Sequence, residues 1–273
     1  MKTARYGWIR DLPDHRDLFY ASPRATAGLL PATIDLRATF PAVYDQGELG
    51  SCTANAIAGA LEFDELQAGA QSSWTPSRLF IYYNERLLEG TVSSDAGAQL
   101  RDGIKVIARE GVCPETEWPY DAARFAEKPP EAVYRDAFRD RVSAYFRISQ
   151  TLLQMKSCLA DGFPFVFGFS VFESMESDRV KQSGHVPLPQ PNDSLLGGHA
   201  VVCVGYDDRG HHFTFRNSWG SGWGENGYGY LPYAYLLDAG LSADFWTVRS
   251  APGGEPLDHH VSRHSASERS EEG

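Results

Sequence analysis

Ile57, Ala58, Leu61 and Leu66 recur at near-helical spacing, predicting a helix that starts at Cys52, with Ser51 as its N-cap, and ends at Gly69. A second helix is predicted through Leu100, Ile104, Ile107 and Ala108 to Gly111, and a third over roughly 149–161. The pattern then changes. FPFVFGFSVF at 163–172, HAVVCVGY at 199–206, HFTFRNSW at 212–219, GYGYLPY at 227–233 and FWTVRS at 245–250 read as strands. Helices followed by strands predict an α+β fold of two segregated lobes, with a ligand cleft between them.

The boundaries follow from the same pattern. Residues 1–30 lack periodicity but carry Tyr6, Trp8, Phe19 and Tyr20, and are expected to be an N-terminal extension. Residues 31–250 form the domain. Residues 251–273 hold few large apolar side chains and read as a disordered tail. A tail of that kind makes a designed metal site at His259, His260 and His264 unexpected.

Two strands place chemistry. The segments 199–206 and 212–219 flank the polar turn DDRGH and read as a hairpin centred near residue 208. That register sets His199 opposite Asn217, close enough for the Asn carboxamide to accept Nδ1–H and leave Nε2 to face a partner. Trp219 is placed to screen the bond. Cys52, at a helix N-terminus, sits where the helix dipole favours thiolate. Taken alone, a cysteine there is more often an inert buried thiol; a thiolate beside an oriented base is the arrangement for covalent acyl transfer. Gln46, six residues earlier in a glycine-bearing loop, is positioned to donate to an oxyanion together with the Cys52 N–H.

Composition narrows the partners. A net charge of −11 argues against nucleic acid or an anionic membrane, and no run of about 18 apolar residues is present. Cys52, Cys113, Cys158 and Cys203 show no CxxC pair, and no secretory h-region opens the chain, so a cytoplasmic location is expected.

DQGELGSC, GGHAVVCVGY and RNSWGSGWGENGY resemble, in order, the nucleophile loop, the histidine strand and the asparagine motif of papain-family cysteine peptidases. PATIDLR resembles that family's mature start, and SDAGAQLRDGIKVIAREGVCPETEWPY, more loosely, its cleft-lining segment. The resemblance spans about 31–250. It implies a papain-like fold with a helical left lobe and a β-barrel-like right lobe. It also implies Cys52 as nucleophile, His199 as acid and base, Asn217 as its orienter and Gln46 in the oxyanion hole. Gly97, Gly198 and Trp219 are then the expected substrate contacts. No metal or other cofactor is implied, the partner is a peptide or protein substrate, and a monomer is expected. Leu49 replaces a disulfide cysteine, while Leu36 and Thr53 replace tryptophans. The usual long propeptide is missing, so residues 1–30 are expected either to cover the cleft and restrain activity or to strap the back of a lobe. An acyl or peptidyl transferase using the same thioester and a catalytically silent binding module are the competing functions.

Overall fold

The computed structural model describes residues 6–27, 30–69, 74–138 and 140–250; the expected C-terminal tail lies outside them. In chain order the elements are β1 (Trp8–Ile9), α1 (Pro23–Ala27), β2 (Thr33–Asp35), α2 (Cys52–Gln67), α3 (Arg78–Glu89) and β3 (Ala98–Gln99). They continue with α4 (Leu100–Arg109), α5 (Glu131–Ala137), β4 (Val142–Arg147), α6 (Leu152–Ala160), β5 (Phe165–Phe172) and α7 (Asp178–Ser183). The last are β6 (Leu195–Asp207), β7 (His212–Arg216), β8 (Tyr228–Pro232), α8 (Tyr233–Leu237) and β9 (Ser242–Ser250).

The architecture is α+β. One sheet runs β4-β9-β5-β6-β7-β8, with β2 added antiparallel to β6, and among the described residues its two ends do not pair with each other. The sheet-rich lobe is therefore an open, curled sheet. Its core joins Phe165, Phe167, Phe169, Phe213, Phe215 and Phe245. A second core gathers α2, α3 and α4 around Ile57, Leu61, Phe80, Ile104 and Trp246.

Helix α2 is buried on every side from Cys52 to Phe63. Its small residues explain this: Ala54, Ala58 and Gly59 let neighbours approach the helix backbone, and a Cβ on Gly59 would fall 2.7 Å from the Arg216 guanidinium. Ser51 precedes the helix but makes no side-chain cap; its hydroxyl instead meets Tyr120 Oη at 2.6 Å and accepts from Asn55 Nδ2. Helix α3 was absent from the sequence reading. Its Ser77 hydroxyl accepts from Phe80 N–H, and Gly90, at φ +74°, ends it.

The N-terminal segment runs along the body as an extended strap. β1 pairs parallel with β3, Trp8 opposite Ala98. Farther along, Asp11 accepts from the Arg101 and Trp246 N–H groups, and Asp17 forms a buried ion pair with Arg101 at 2.7 Å. Arg147 N–H then donates to the Leu18 carbonyl, and Tyr20 Oη donates to Asp161.

Candidate active site

Cys52 opens α2 and is fully buried. His199 lies within β6 and Asn217 just past the end of β7; both are buried. His199 Nε2 donates to Asn217 Oδ1 at 2.8 Å, and the same oxygen accepts from Ser218 N–H at 2.8 Å. The imidazole stacks on Trp219 at 4.7 Å and meets Phe169 edge-on at 5.8 Å, which fixes the ring plane.

Two details differ from the sequence reading. Val202 pairs with Arg216 and Cys203 with Phe215, but a bulge at Val204 moves Gly205 opposite Thr214. Continuing the Val202–Arg216 register puts Trp219, not Asn217, opposite His199. The ring nitrogens are also exchanged. Asn217 lies beyond the strand end, so the outer nitrogen, Nε2, reaches it. Nδ1 has no hydrogen-bond partner among the described residues.

Ala200, the residue after His199, brings its backbone to the Cys52 sulfur, as do Thr53 and Gly7. Burial pushes the thiol up to about 12 despite these backbone contacts, and it pushes His199 down to about 4 against the opposing Asn217 bond. With the strap in place, burial thus favours the neutral form of both groups. Thr53, next to Cys52, donates to Glu85 at 2.6 Å inside the core.

Gln46 is clamped. Its Nε2 donates to the Leu49 carbonyl at 2.9 Å, its Oε1 accepts from Ser218 Oγ at 2.6 Å, and its N–H donates to Ser218 O at 2.8 Å. Ser218 was not singled out from sequence, although its position beside Asn217 was the available signal.

The strap crosses these groups. Gly7 carbonyl accepts from Ala98 N–H at 2.8 Å and lies so close to Gly97 that a Cβ there would fall 2.1 Å from it. Gly97 sits at φ +75°, so glycine is required both for conformation and for space. Trp8 presses on Gly198, and Tyr6 packs edge-on to Trp219 at 6.1 Å and to His199 at 6.4 Å while its hydroxyl donates to Glu176. Gly97, Gly198 and Trp219 are thus all covered by residues 6–8. Among the described residues, no group of three His, Cys, Asp or Glu side chains is arranged to hold a metal, and no helix is long and apolar enough to cross a membrane.

The model of the papain family cysteine proteases matches residues 30–235. This chain belongs to that family. It is 45% identical to Xylellain, a cysteine protease from Xylella fastidiosa, whose crystal structure superposes with a TM-score of 0.86 over 92% of this chain and 98% of that one. It is 42% identical to an uncharacterized peptidase C1-like protein of Acanthamoeba polyphaga mimivirus, across 90% of this chain and 87% of that protein. Cysteine proteinase 3 of Entamoeba histolytica is more distant, 25% identical over 78% of this chain and 68% of its own length. Digestive procathepsin L 3 of Tenebrio molitor shares the fold, with a TM-score of 0.66 at 22% identity over 85% of this chain and 73% of that one. The protein is accordingly a papain-like cysteine protease, a hydrolase.

Proposed function

We propose that this protease hydrolyses peptide bonds through a thioester on Cys52, with His199 as acid and base, and that residues 6–20 hold it closed. The observation carrying the catalytic part is the buried 2.8 Å bond from His199 Nε2 to Asn217, which leaves Nδ1 unpartnered on the strand that meets the Cys52 sulfur. Nδ1 takes the thiol proton, and the thiolate attacks the scissile carbonyl carbon. The imidazolium returns that proton to the departing amine, and water activated by the same nitrogen then cleaves the thioester.

The oxyanion is met by the N–H of Cys52, one of the donors left without an intrahelical partner at the start of α2, and by the Gln46 carboxamide. The Ser218 and Leu49 bonds hold that carboxamide in place. Gln46→Ala is expected to lower kcat by about 10²–10³ with little change in KM. Progress curves with a small fluorogenic peptide check this, and a loss confined to KM would count against the assignment.

Closure is supported by the strap covering Cys52, Gly97, Gly198 and Trp219 together. It also has a pH sense. Burial and the nearby Asp244 carboxylate raise the Asp11 carboxyl, against opposing contributions from Trp246 and Arg101. The closed form thus holds a proton that a released strap would give up. This contribution to closure is complete below the ordinary value of 3.8 and is lost as the pH rises through about 7. Amide exchange at Ala98, corrected for intrinsic pH dependence, is expected to speed up between pH 5 and 8, roughly tenfold or more. A flat profile would remove Asp11 from the latch.

A further inference from the structure

Glu85 of α3 is 0% exposed and carries a carboxyl that takes no part in the peptidase steps above. Its Oε1 accepts from the Thr53 hydroxyl at 2.6 Å, and its Oε2 has no hydrogen-bond partner among the described residues. A buried polar oxygen left in this way costs free energy, so its presence calls for a reason. Room has also been made for it. On α4, a Cβ at Gly103 would fall 2.6 Å from Glu85 Oε2 and 2.5 Å from Ile57, and a glycine inside a helix is itself destabilising.

The charged groups around it do not offset a negative charge. Arg86, next on α3, is committed elsewhere: its guanidinium donates to the carbonyls of Tyr82 at 3.0 Å, Val92 at 2.9 Å and Ser94 at 3.0 Å. Glu89 on α3 and Asp102 on α4 are like charges. Burial pushes the Glu85 carboxyl well above the ordinary carboxylate range; the Thr53 bond and Arg86 oppose this, and Glu89 and Asp102 add to it. A carboxyl so enclosed keeps its proton.

Thr53 follows Cys52 in the first turn of α2 and stands where the family pattern has tryptophan. Its backbone, with those of Ala200 and Gly7, meets the Cys52 sulfur, and these contacts favour the thiolate. Resting on the peptidase reading above, we propose that Glu85 is a positioning residue for the nucleophile: it grips the Thr53 hydroxyl and so holds the Thr53 backbone on the Cys52 sulfur. It does this as a neutral acid. A charge on Glu85 would raise the thiol and work against the thiolate that the reaction needs, whereas a neutral acceptor keeps the grip without that repulsion.

The test uses the full chain carrying Tyr6→Ala and Trp8→Ala, so that the strap does not gate Cys52. The readouts are kcat and KM for a fluorogenic peptide and the pH midpoint of Cys52 alkylation by iodoacetamide. Glu85→Leu, of similar size but without an acceptor, is expected to lower kcat about tenfold with KM within about twofold, and to raise the midpoint by about half a unit or more. Glu85→Gln keeps a neutral acceptor. It is expected to restore kcat to within about threefold and the midpoint to within about 0.2 units of the parent. A Leu variant matching the parent in both readouts would overturn the proposal, as would a Gln variant no better than Leu. A midpoint lowered by about one unit or more in Glu85→Gln would overturn the neutral acid, because a like charge would then have been removed.

The path through Thr53 is checked in the same background. Thr53→Val should reproduce the loss seen in Glu85→Leu, and the two together should cost no more than about twofold beyond either alone. Losses that multiply would overturn that path. Should Glu85→Leu fail to fold, Thr53→Val against Thr53→Ser carries the decision. Ser keeps the hydroxyl and should retain kcat to within about threefold, and equal kcat in the two variants would overturn the proposal. No turnover of any peptide by the parent would sink the peptidase reading, while the alkylation midpoints would still decide the role of Glu85.

Discussion

Cys52→Ala is expected to abolish peptide hydrolysis, a loss on the order of 10⁴-fold or more, and His199→Ala to come close to it. The two losses should not add, because thiol and imidazole act as one unit. With the strap in place burial holds the thiol up and the imidazole down, so neither group is expected to react until the strap moves. Opening restores water and lets a thiolate–imidazolium pair form at the start of α2, whose N-terminal dipole favours the sulfur anion. The other three cysteines are buried and free, and burial raises each thiol. An epoxide-type thiol-protease inhibitor is therefore expected to modify Cys52 alone. Mass spectrometry of the labelled chain checks this, and modification of Cys113 or Cys158 in place of Cys52 would contradict the mechanism.

Removing the strap's two cleft-filling rings should have the second-largest effect. In full-length protein, Tyr6→Ala with Trp8→Ala is expected to raise both Cys52 alkylation and peptide hydrolysis by about 10² or more. Emptying a buried tryptophan site costs about 3–5 kcal/mol, and each factor of ten in the closed-to-open ratio requires only about 1.4 kcal/mol. Tyr6 adds its bond to Glu176 and its contact with Trp219. The anchors at Asp11 and Asp17 remain, so the strap stays attached to the body while its hold on the cleft weakens. Rates equal to those of the wild type would return the segment to the role of a packing strap and leave the catalytic reading intact.

Much of the fold was legible because its periodicities are local. The helix from Cys52, the helix from Leu100 and the strands around 165–172 and 212–216 follow from spacing alone, and their ends fall close to Gly and turn residues. Helix α3 escaped because RLFIYYNERLLE mixes aromatic and charged residues, several of which, Arg86 and Glu85 among them, are buried rather than solvated. β2 was missed because it is short, and both β2 and β4 acquire their partners, β6 and β9, from far away in sequence. The hairpin register was off because Asp207 pairs with His212, which centres the turn past residue 208, and the polar run DDRGH does not fix which of its residues lies at the apex.

The candidate site divides along the same line. The sequence by itself determined which residues to propose for the chemistry, since Cys52, His199, Asn217 and Gln46 each lie in a short motif whose residue types the proposed reaction requires. It also marked 1–30 as a segment with aromatics to bury. Only the tertiary structure decided that Asn217 holds Nε2 and leaves Nδ1, because that choice depends on where β7 ends. Only it showed Trp8 over Gly168 and Gly198 on the Asp244 carboxylate. Trp8 and Asp244 are 236 positions apart. No local pattern records such a pairing, and burial against a distant strand is what creates it.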